Sequence, residues 1–262
     1  MEESRIVGKR FGRAALVYDA VSLVQAKARL QLMSLIPESP QPNSILELGC
    51  GTGALSSELS TKFNRAKVSA LDISKEMIAV AREKHRGREI EWIVEDVFSY
   101  SPHTPFDLVV SNASLQWFSP YEHFAEKLKS ALSKDSLFVC SFMTEQTLIE
   151  LRNLRRELFP HNAPMRELPG LSEVSSTFQN AGFSVVHSSE EVFLTSHENA
   201  KCFFLSLHDM GVNSGSLSKG VRPLRRNELK LLMDEYQSRY SNKESAVPAT
   251  YSVGYLAVKK EG

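Results

Sequence analysis

Short apolar segments recur through the first half of the chain and alternate with segments of helical periodicity. The apolar segments lie at 45–48, 67–71, 90–94, 106–110 and 136–142. Each has the length of a buried strand, and the intervening segments carry apolar residues at helical spacing. Strands that alternate with helices predict an α/β fold with a parallel sheet.

The two ends of the chain have different patterns. Residues 5–35 are mostly helical in pattern, and prolines at 37, 40 and 42 end this region. Within it we expect a buried apolar stripe made of Leu23, Ala26, Leu30 and Met33. The first 40 residues therefore predict a helical lid that precedes the sheet.

The chain after the fifth strand predicts further helices and two more strands. The helices are expected at 144–159, 171–180, 200–210 and 225–240. The strands are expected at 183–195 and 247–259, the last of them as an edge strand or a hairpin arm. We therefore expect one domain over 1–262, with a lid at 1–43, a core at 44–143 and a cap with closing strands at 144–262.

A glycine-rich turn follows the first strand. Gly49, Gly51 and Gly53 stand at alternate positions, and a predicted helix begins at Ala54. A strand, a glycine turn and a helix open a nucleotide-binding α/β unit, because glycine permits the turn and lets a ligand approach the backbone. Gly49, Gly51 and Ala54 also satisfy the dinucleotide pattern G-x-G-x-x-G/A. The turn alone therefore leaves the ligand open.

Glu47 favours a cationic ligand at this turn. It stands inside the apolar strand, two residues before the first glycine. A carboxylate there would repel a pyrophosphate and attract S-adenosylmethionine (SAM), which carries an ammonium and a sulfonium and no phosphate. The pattern Glu47-x-Gly49-x-Gly51-x-Gly53 closely resembles motif I of the class I SAM-dependent methyltransferases. This resemblance implies SAM as the cofactor and includes Cys50 in its binding loop.

Asp72 follows the second predicted strand and is a candidate ribose ligand. An acidic residue at this position can accept hydrogen bonds from both ribose hydroxyls. Asp72-Ile73-Ser74 could also simply begin a helix, with Ser74 as its N-cap. Both interpretations can hold together, and Ile73 and Met77 would then form an apolar wall beside the adenine.

Asp96 and Val97 follow the third predicted strand. In the family that the chain resembles, an acidic residue here binds the adenine amino group and the next side chain contacts the ring. An aspartate at a strand end is also a common turn former. The argument is stronger for the series, because Glu47, Asp72 and Asp96 all fall at strand ends on one edge of a parallel sheet, where ligands bind.

Composition excludes several classes of protein. Lys and Arg number 31, as do Asp and Glu, so the formal charge is zero. This argues against wholesale electrostatic binding to nucleic acid or to an anionic membrane. The three cysteines are widely spaced and suggest neither a disulfide framework nor a metal site. No signal peptide or membrane span is apparent, so we expect a soluble cytoplasmic protein.

Four further segments narrow the resemblance. They are Phe11-Gly12-Arg13-Ala14-Ala15-x-x-Tyr18, Ser111-Asn112-x-x-Leu115-Gln116-Trp117, Thr147-Leu148-x-Glu150-Leu151 and Pro248-x-Thr250-Tyr251. Together they resemble the malonyl-acyl-carrier-protein O-methyltransferases of biotin synthesis. The Asn/Asp-Pro-Pro-aromatic motif of enzymes that methylate DNA bases is absent after the fourth strand.

This resemblance implies a fold and an activity. The fold is a Rossmann-like class I methyltransferase with a mostly parallel seven-stranded sheet, helices on both faces, the helical lid and a cap inserted after strand five. The activity is methyl transfer from SAM to the free carboxylate of malonyl-acyl carrier protein (malonyl-ACP). That carboxylate is ionised at pH 7 and is itself the nucleophile, so neither a general base nor a metal is required.

The resemblance also implies site residues. Phe11, Asn112 and Gln116 join the cofactor set, although Phe11 could equally be an ordinary packing aromatic. Tyr18 would orient the carboxylate or close over SAM, and Trp117 would line the channel. A buried carboxylate needs a cation or donors in place of water, and Arg222 is our candidate.

A local excess of positive charge suggests a docking surface. Between Lys201 and Lys230 there are six basic residues, including Lys219, and two acidic ones. Acyl carrier proteins are acidic, and a basic surface would attract one. The predicted patch consists of Lys201, Arg225, Arg226, Arg155 and Arg156, and an ordinary solvated helix face would look the same.

Three other functions stay open at this point. One is methylation of a small free carboxylic acid, as in the trans-aconitate methyltransferases. Another is C-methylation of a quinone-type ring, which would require a base. The third is a SAM-fold assembly protein that transfers no methyl group.

Overall fold

The computed structural model describes residues 2–162, 168–211 and 222–261, and a seven-stranded sheet runs through it. The strands are β1 Ser44–Leu48, β2 Lys67–Asp72, β3 Ile90–Val94, β4 Phe106–Ser111, β5 Leu132–Met143, β6 Phe183–His197 and β7 Val247–Lys260. Their order in the sheet is β3-β2-β1-β4-β5-β7-β6. The first five strands are parallel, whereas β7 pairs antiparallel with β5 and with β6. The mostly parallel sheet is confirmed.

Helices precede, separate and follow the strands. They are α1 Glu2–Ala14, α2 Tyr18–Val21, α3 Leu23–Ser34, α4 Ala54–Lys62, α5 Lys75–Lys84, α6 Tyr121–Ala131, α7 Ile149–Leu158, α8 Leu171–Asn180, α9 Ala200–Asp209 and α10 Arg226–Tyr240. The helix predicted from residue 144 begins only at Ile149, because Leu148 has a left-handed backbone with φ of 55°.

Both faces of the sheet are covered by helices, as predicted. On one face Phe124 of α6 and Phe178 of α8 pack against Phe138 of β5. On the other face α3, α4 and α5 bury Leu32, Leu59 and Ile78 against the sheet. Burial on both sides explains the unbroken apolar segments of the parallel strands. Because Phe178 packs on Phe138, α8 belongs to a face of the sheet and not to the cap.

Of the two predictions for the last strand, the antiparallel hairpin arm is confirmed and the edge position is wrong. β7 lies between β5 and β6, and Val253, Leu256 and Val258 on it are fully buried. β6 forms the edge instead, with Val192 and Leu194 exposed. Because β7 joins the parallel core to β6, the region after residue 143 completes the sheet.

The lid consists of α1, α2 and α3. The stripe predicted for α3 is wrong: Leu23 and Leu30 are 65% and 66% exposed, while Val24, Ala28 and Leu32 are buried. α3 packs against β5 and β7, and α1 packs against α5. An added side chain at Gly12 would meet Ser74 and Glu76, so this glycine lets α1 approach the turn after β2 closely.

The cap consists of α7, α9 and α10. These helices surround the first half of β7 and enclose their own apolar cluster. Phe203 of α9 stacks on Tyr236 of α10 with the ring centroids 5.0 Å apart. Val24 and Ala28 of the lid belong to the same cluster, so the lid and the cap meet.

Candidate active site

A cavity of about 410 Å³ lies at the carboxyl ends of β1, β2 and β4, beneath the lid. Its size falls within the range of small-molecule sites, roughly 300–1,000 Å³. Parallel sheets bind ligands at this edge because the loops that follow the strands meet there. The predicted cofactor residues that line it are Phe11, Glu47, Gly49, Cys50, Gly51, Asp72, Ile73, Met77, Asp96, Val97 and Asn112.

The glycines of the turn have different environments. Gly51 has a φ of 53°, lines the cavity, and an added Cβ there would meet nothing within 4 Å. A side chain would therefore occupy space that a ligand needs. Gly53 has a φ of 81° and does not line the cavity; an added Cβ would overlap the indole of Trp92. Gly53 therefore allows close packing against Trp92, and its position does not support the predicted contact with the cofactor.

Glu47 is buried at the floor of the cavity. Its carboxylate accepts a hydrogen bond from the Ser56 hydroxyl. Burial raises the pKa of Glu47 to about 8, with a smaller contribution from the charge of Asp72, while the Ser56 hydrogen bond acts in the opposite direction. A nearby cation would favour the ionised form and lower that pKa.

Asp72 holds the glycine turn and the start of α5, and its role at a ribose stays a prediction. Its carboxylate accepts hydrogen bonds from the backbone N–H groups of Gly51 and Ser74, at 2.9 and 2.8 Å. Ser74 in turn caps α5 by accepting from the Met77 N–H at 3.2 Å. The carboxylate thereby fixes the glycine turn and begins the helix, and it lines the cavity where a ribose would be held.

The end of the cavity where Asp96 and Val97 lie includes residues that sequence reasoning missed. Asp96 accepts a hydrogen bond from the Phe98 N–H at 2.9 Å, which is the turn-forming role. Phe98 stacks on His123 with centroids 5.3 Å apart, and both line the cavity with Asp96 and Val97. No pattern marks His123, since it stands in an ordinary amphipathic helix.

Asp19 fastens the lid to the glycine turn. It accepts hydrogen bonds from the Thr52 hydroxyl at 2.6 Å and from the Lys84 ammonium at 2.5 Å. Burial acts to raise the pKa of Asp19, but these two hydrogen bonds and the charges of Lys84 and Arg29 lower it below its usual value. Asp19 follows Tyr18 in the sequence, and only contact with a distant part of the chain gives it this role.

Three aromatic rings form a wall beside the cavity. Phe11 lies between Tyr18 and Trp117, edge-on to each, at centroid distances of 6.0 and 5.8 Å. Burial and the charges of Asp72 and Asp19 raise the pKa of Tyr18. Its hydroxyl therefore stays protonated at neutral pH and can donate a hydrogen bond.

A second cavity, of about 50 Å³, adjoins the first, and we call it the small cavity. The two share Phe11, Tyr18, Gln25, Ala113 and Trp117 in their walls. The remaining wall of the small cavity comes from β5, the cap and neighbouring segments, and it includes Arg152 of α7.

Asn112 and Gln116 differ from each other in position. Asn112 lines the cofactor cavity, donates to the Gln25 carbonyl at 3.2 Å and accepts from the Ser141 hydroxyl at 2.8 Å. Gln116 lines the small cavity instead, and its amide is bonded to the Ala113 carbonyl and the Met143 N–H. Asn112 therefore holds the lid to the sheet, and Gln116 shapes the small cavity.

Arg222 is a described residue, and it lines neither cavity. It is exposed and its guanidinium pairs with Glu228 at 2.5 Å. The sequence could not reveal this partner, because the two side chains meet only through the start of α10.

The predicted docking patch is partly corrected. Lys201, Arg156, Arg225 and Arg226 are exposed, whereas Arg155 is 2% exposed and cannot belong to a surface. Burial lowers the pKa of Arg155. Lys219 lies outside the described residues.

The charge of the cofactor cavity suits a cation. Among the described residues that line it, Arg29 is the one lysine or arginine, and five are acidic: Asp19, Glu47, Asp72, Glu95 and Asp96. This lining would repel a pyrophosphate. It would suit SAM, for which we predict Glu47 near the cationic groups, Asp72 at the ribose and Asp96 at the adenine. Arg29, held by Glu58 at 2.9 Å, was not predicted.

Comparison with known proteins decides between the nucleotide-binding classes. Residues 45–135, which include the glycine turn, Asp72 and Asp96, match the family model described as a methyltransferase domain. The chain is a class I SAM-dependent methyltransferase. The seven-stranded sheet and the acidic cavity agree with this assignment.

Relatives resemble this methyltransferase over nearly its whole length. Malonyl-[acyl-carrier protein] O-methyltransferase 1 of Ilyobacter polytropus is 29% identical over 259 residues, which cover 98% of this chain and 95% of the relative. Malonyl-[acyl-carrier protein] O-methyltransferase of Geobacter sulfurreducens is 28% identical over 272 residues, covering 99% and 100%.

Solved structures show the same fold at lower identity. The YcgJ protein of Bacillus subtilis has a TM-score of 0.59 at 14% identity and covers 89% of this chain and 97% of its own. The N-methyltransferase NodS of Bradyrhizobium japonicum, solved with S-adenosyl-L-homocysteine (SAH), has a TM-score of 0.54 at 13% identity and covers 90% and 87%.

Among the described residues, no group of three His, Cys, Asp or Glu side chains could hold a metal ion. No helix within the same residues is long and apolar enough to cross a membrane.

The raised pKa of Glu47 predicts that proton release accompanies SAM binding. Below pH about 8 the carboxylate is largely protonated, and a cation that needs it ionised must first displace the proton. The affinity for SAM should therefore fall as pH is lowered through that pKa, by up to about tenfold per pH unit. Calorimetric titration of wild type and Glu47→Gln measures this dependence.

Glu47→Gln is the control for the wild type in that experiment. The ligand's amine titrates equally for both proteins, so the ratio of their dissociation constants isolates Glu47. A ratio that does not change with pH would contradict the assigned position of Glu47 beside the cation.

Proposed function

We propose that this methyltransferase transfers the methyl group of SAM to the free carboxylate of malonyl-ACP. The observation that supports this most is the near full-length similarity to relatives that carry that name. The similarity extends beyond the family-model match into the lid and the cap, whose residues line the small cavity. The ester would mask the malonyl charge, so that the chain could be extended towards the pimeloyl group of biotin.

The residues of the site are compatible with this reaction. SAM supplies a methyl group bound to a positively charged sulfur. The malonyl carboxylate is ionised at neutral pH and needs no base. The protein must orient it, remove its water and replace the lost hydrogen bonds. The protonated hydroxyl of Tyr18 is a suitable donor, while Phe11 and Trp117 exclude water from the shared wall.

The small cavity also bears on the alternatives. Trans-aconitate carries three carboxylates, whereas among the described lining residues of the small cavity Arg152 is the one charged group. Those residues include no His, Asp or Glu that could serve as the base for a quinone-type ring. An assembly protein that retains the cofactor cavity but transfers no methyl would not require the small cavity. A monoanionic acid head is therefore favoured.

The test is transfer of labelled methyl from SAM to a panel of acceptors. Malonyl-ACP should take up label that is released by mild base, as an ester requires. Acetyl-ACP, which lacks a free carboxylate, should remain unlabelled. Label on trans-aconitate with none on malonyl-ACP would replace this proposal by the small-acid alternative. No label on any acceptor, with SAM bound, would favour the assembly protein.

Tyr18→Phe should lower the turnover of malonyl-ACP while SAM binding stays nearly constant. The substitution removes one hydrogen bond to a charged group, which is worth about 1.5–3 kcal/mol, so kcat should fall about 10- to 100-fold. Steady-state kinetics measures turnover, and calorimetry measures SAM affinity.

Tyr100→Phe is a matched control, because Tyr100 is half-buried and lines neither cavity among the described residues. It should leave both quantities unchanged. Wild-type kinetics in Tyr18→Phe would remove the hydroxyl from the reaction.

The exposed basic residues support a docking surface for the acidic carrier. Arg226 and Lys230 border a shallow groove along α10 that also contains Leu229 and Met233. If this surface attracts the carrier, activity on malonyl-ACP should fall with salt more steeply than activity on a malonyl thioester without the carrier. Arg226→Glu should raise KM for malonyl-ACP alone. Equal salt dependence for both substrates would argue against docking there.

A further inference from the structure

Tyr251 of β7 lines the small cavity, and the proposed reaction has not yet used its hydroxyl. The residue is only 6% exposed, and it does not line the cofactor cavity. Its hydroxyl forms no hydrogen bond with any residue that the structure describes. Buried polar groups are nearly always hydrogen-bonded, so a donor left free at the wall of a cavity points to a ligand.

Two neighbouring polar side chains of the small cavity are already bonded within the protein. The Gln116 amide is engaged through both its nitrogen and its oxygen. The Thr147 hydroxyl donates to the Ser252 carbonyl at 2.8 Å and accepts from the Ser252 N–H at 3.0 Å. These groups hold the wall together, whereas Tyr251 keeps its donor for a molecule that enters.

The backbone around Tyr251 is fixed on both sides of β7. The carbonyl of Thr250 accepts from the Leu148 N–H at 2.6 Å, and the N–H of Thr250 donates to the Glu150 carboxylate at 3.3 Å. Tyr251 itself pairs with Phe193 of β6. A donor that is held in place before the substrate arrives loses little freedom on binding.

The Tyr251 hydroxyl is protonated at neutral pH. Burial and, to a smaller extent, the charge of Glu150 raise the pKa of Tyr251 above its ordinary value. The group can therefore donate to an anion, as the Tyr18 hydroxyl can. A hydroxyl that donates to a carboxylate forms one of the stronger hydrogen bonds found in proteins.

A carboxylate that enters the small cavity loses water and needs donors in exchange. Much of the wall is apolar, including Leu148, Leu207 and Met210, and offers none. Tyr18 comes from the lid and Tyr251 from the sheet, so their hydroxyls would approach a carboxylate from different elements.

We propose that the Tyr251 hydroxyl donates a hydrogen bond to the substrate carboxylate in the small cavity, and that Tyr18 donates a second one from the wall shared with the cofactor cavity. Tyr251 makes and breaks no covalent bond in this role; it orients the carboxylate and replaces water. This inference rests on the proposed function.

The first test measures binding without turnover. A malonyl thioester that lacks the carrier is titrated into the protein saturated with SAH. Tyr251→Phe should weaken its binding about 10- to 100-fold, because the variant lacks one hydrogen bond to a charged group. SAH affinity should change less than about twofold, since Tyr251 does not line the cofactor cavity.

The methyl ester of the same thioester is the matched ligand. It carries no charge, so the lost hydrogen bond is weaker and its binding to Tyr251→Phe should fall by about fivefold at most. Equal losses for the acid and the ester would overturn the pairing with the carboxylate.

A second test separates a role at the substrate from a role in the fold. Tyr251→Phe removes no hydrogen bond to a described residue of the free protein. Its thermal unfolding midpoint should therefore equal or exceed that of the wild type, while kcat/KM for the malonyl thioester falls about 10- to 100-fold. A lower midpoint would assign the hydroxyl to the fold and overturn the proposal.

Tyr236→Phe is the matched control. Tyr236 is also buried, but its hydroxyl donates to the Pro248 carbonyl at 2.8 Å and it lines neither cavity. This variant should lower the unfolding midpoint and leave kcat/KM within about twofold of the wild-type value, the reverse of the result for Tyr251→Phe.

The outcomes separate this inference from the proposed function. Wild-type turnover and wild-type binding of the malonyl thioester in Tyr251→Phe would overturn the role of Tyr251 and leave the proposed function standing. A wild-type protein that binds SAH but neither binds nor methylates a malonyl thioester would overturn both.

Discussion

Asp19 ties the lid to the carboxyl ends of the strands, and residues of that lid line both cavities. Its carboxylate accepts hydrogen bonds from Thr52 in the glycine turn and from Lys84 at the end of α5. Tyr18 immediately before it, and Phe11 one helix earlier, then form the wall between the cavities. A carboxylate must lose water to react with a methyl group, and a lid provides a site from which water can be excluded.

The two cavities differ in the charged residues that line them. Those of the cofactor cavity are mainly acidic and suit a cation, whereas Arg152 is the one charged residue among the described lining of the small cavity. An uncharged aromatic wall separates them. Under the proposed function, a cationic methyl donor in the cofactor cavity and an anionic acceptor at the shared wall would lie side by side.

Much of the fold could be predicted from sequence, because the parallel strands are buried on both faces and the glycine turn marks the first of them. The errors have physical causes. Leu23 and Leu30 are apolar but exposed, since hydrophobic periodicity does not show which of two apolar faces is covered. β7 alternates like an edge strand, yet β6 covers its outer side.

The cofactor residues that the sequence indicated follow strand ends, where the topology alone brings them together. The substrate side could not be predicted in this way. Arg152, Leu207 and Gln25 come from the cap and the lid, and only tertiary packing places them around one cavity. The charge of Arg222 makes it the candidate partner of the substrate carboxylate in the sequence. No local pattern reveals that Glu228 already pairs with it.

The central claim is that the free carboxylate of a malonyl thioester becomes a methyl ester, and the mass of the product tests it most directly. After incubation of the protein with SAM and malonyl-ACP, fragmentation should find one added methyl group on the malonyl carboxylate. Malonyl-ACP of unchanged mass, under conditions in which SAM is bound, would contradict the account. So would a methyl group at any other position of the carrier.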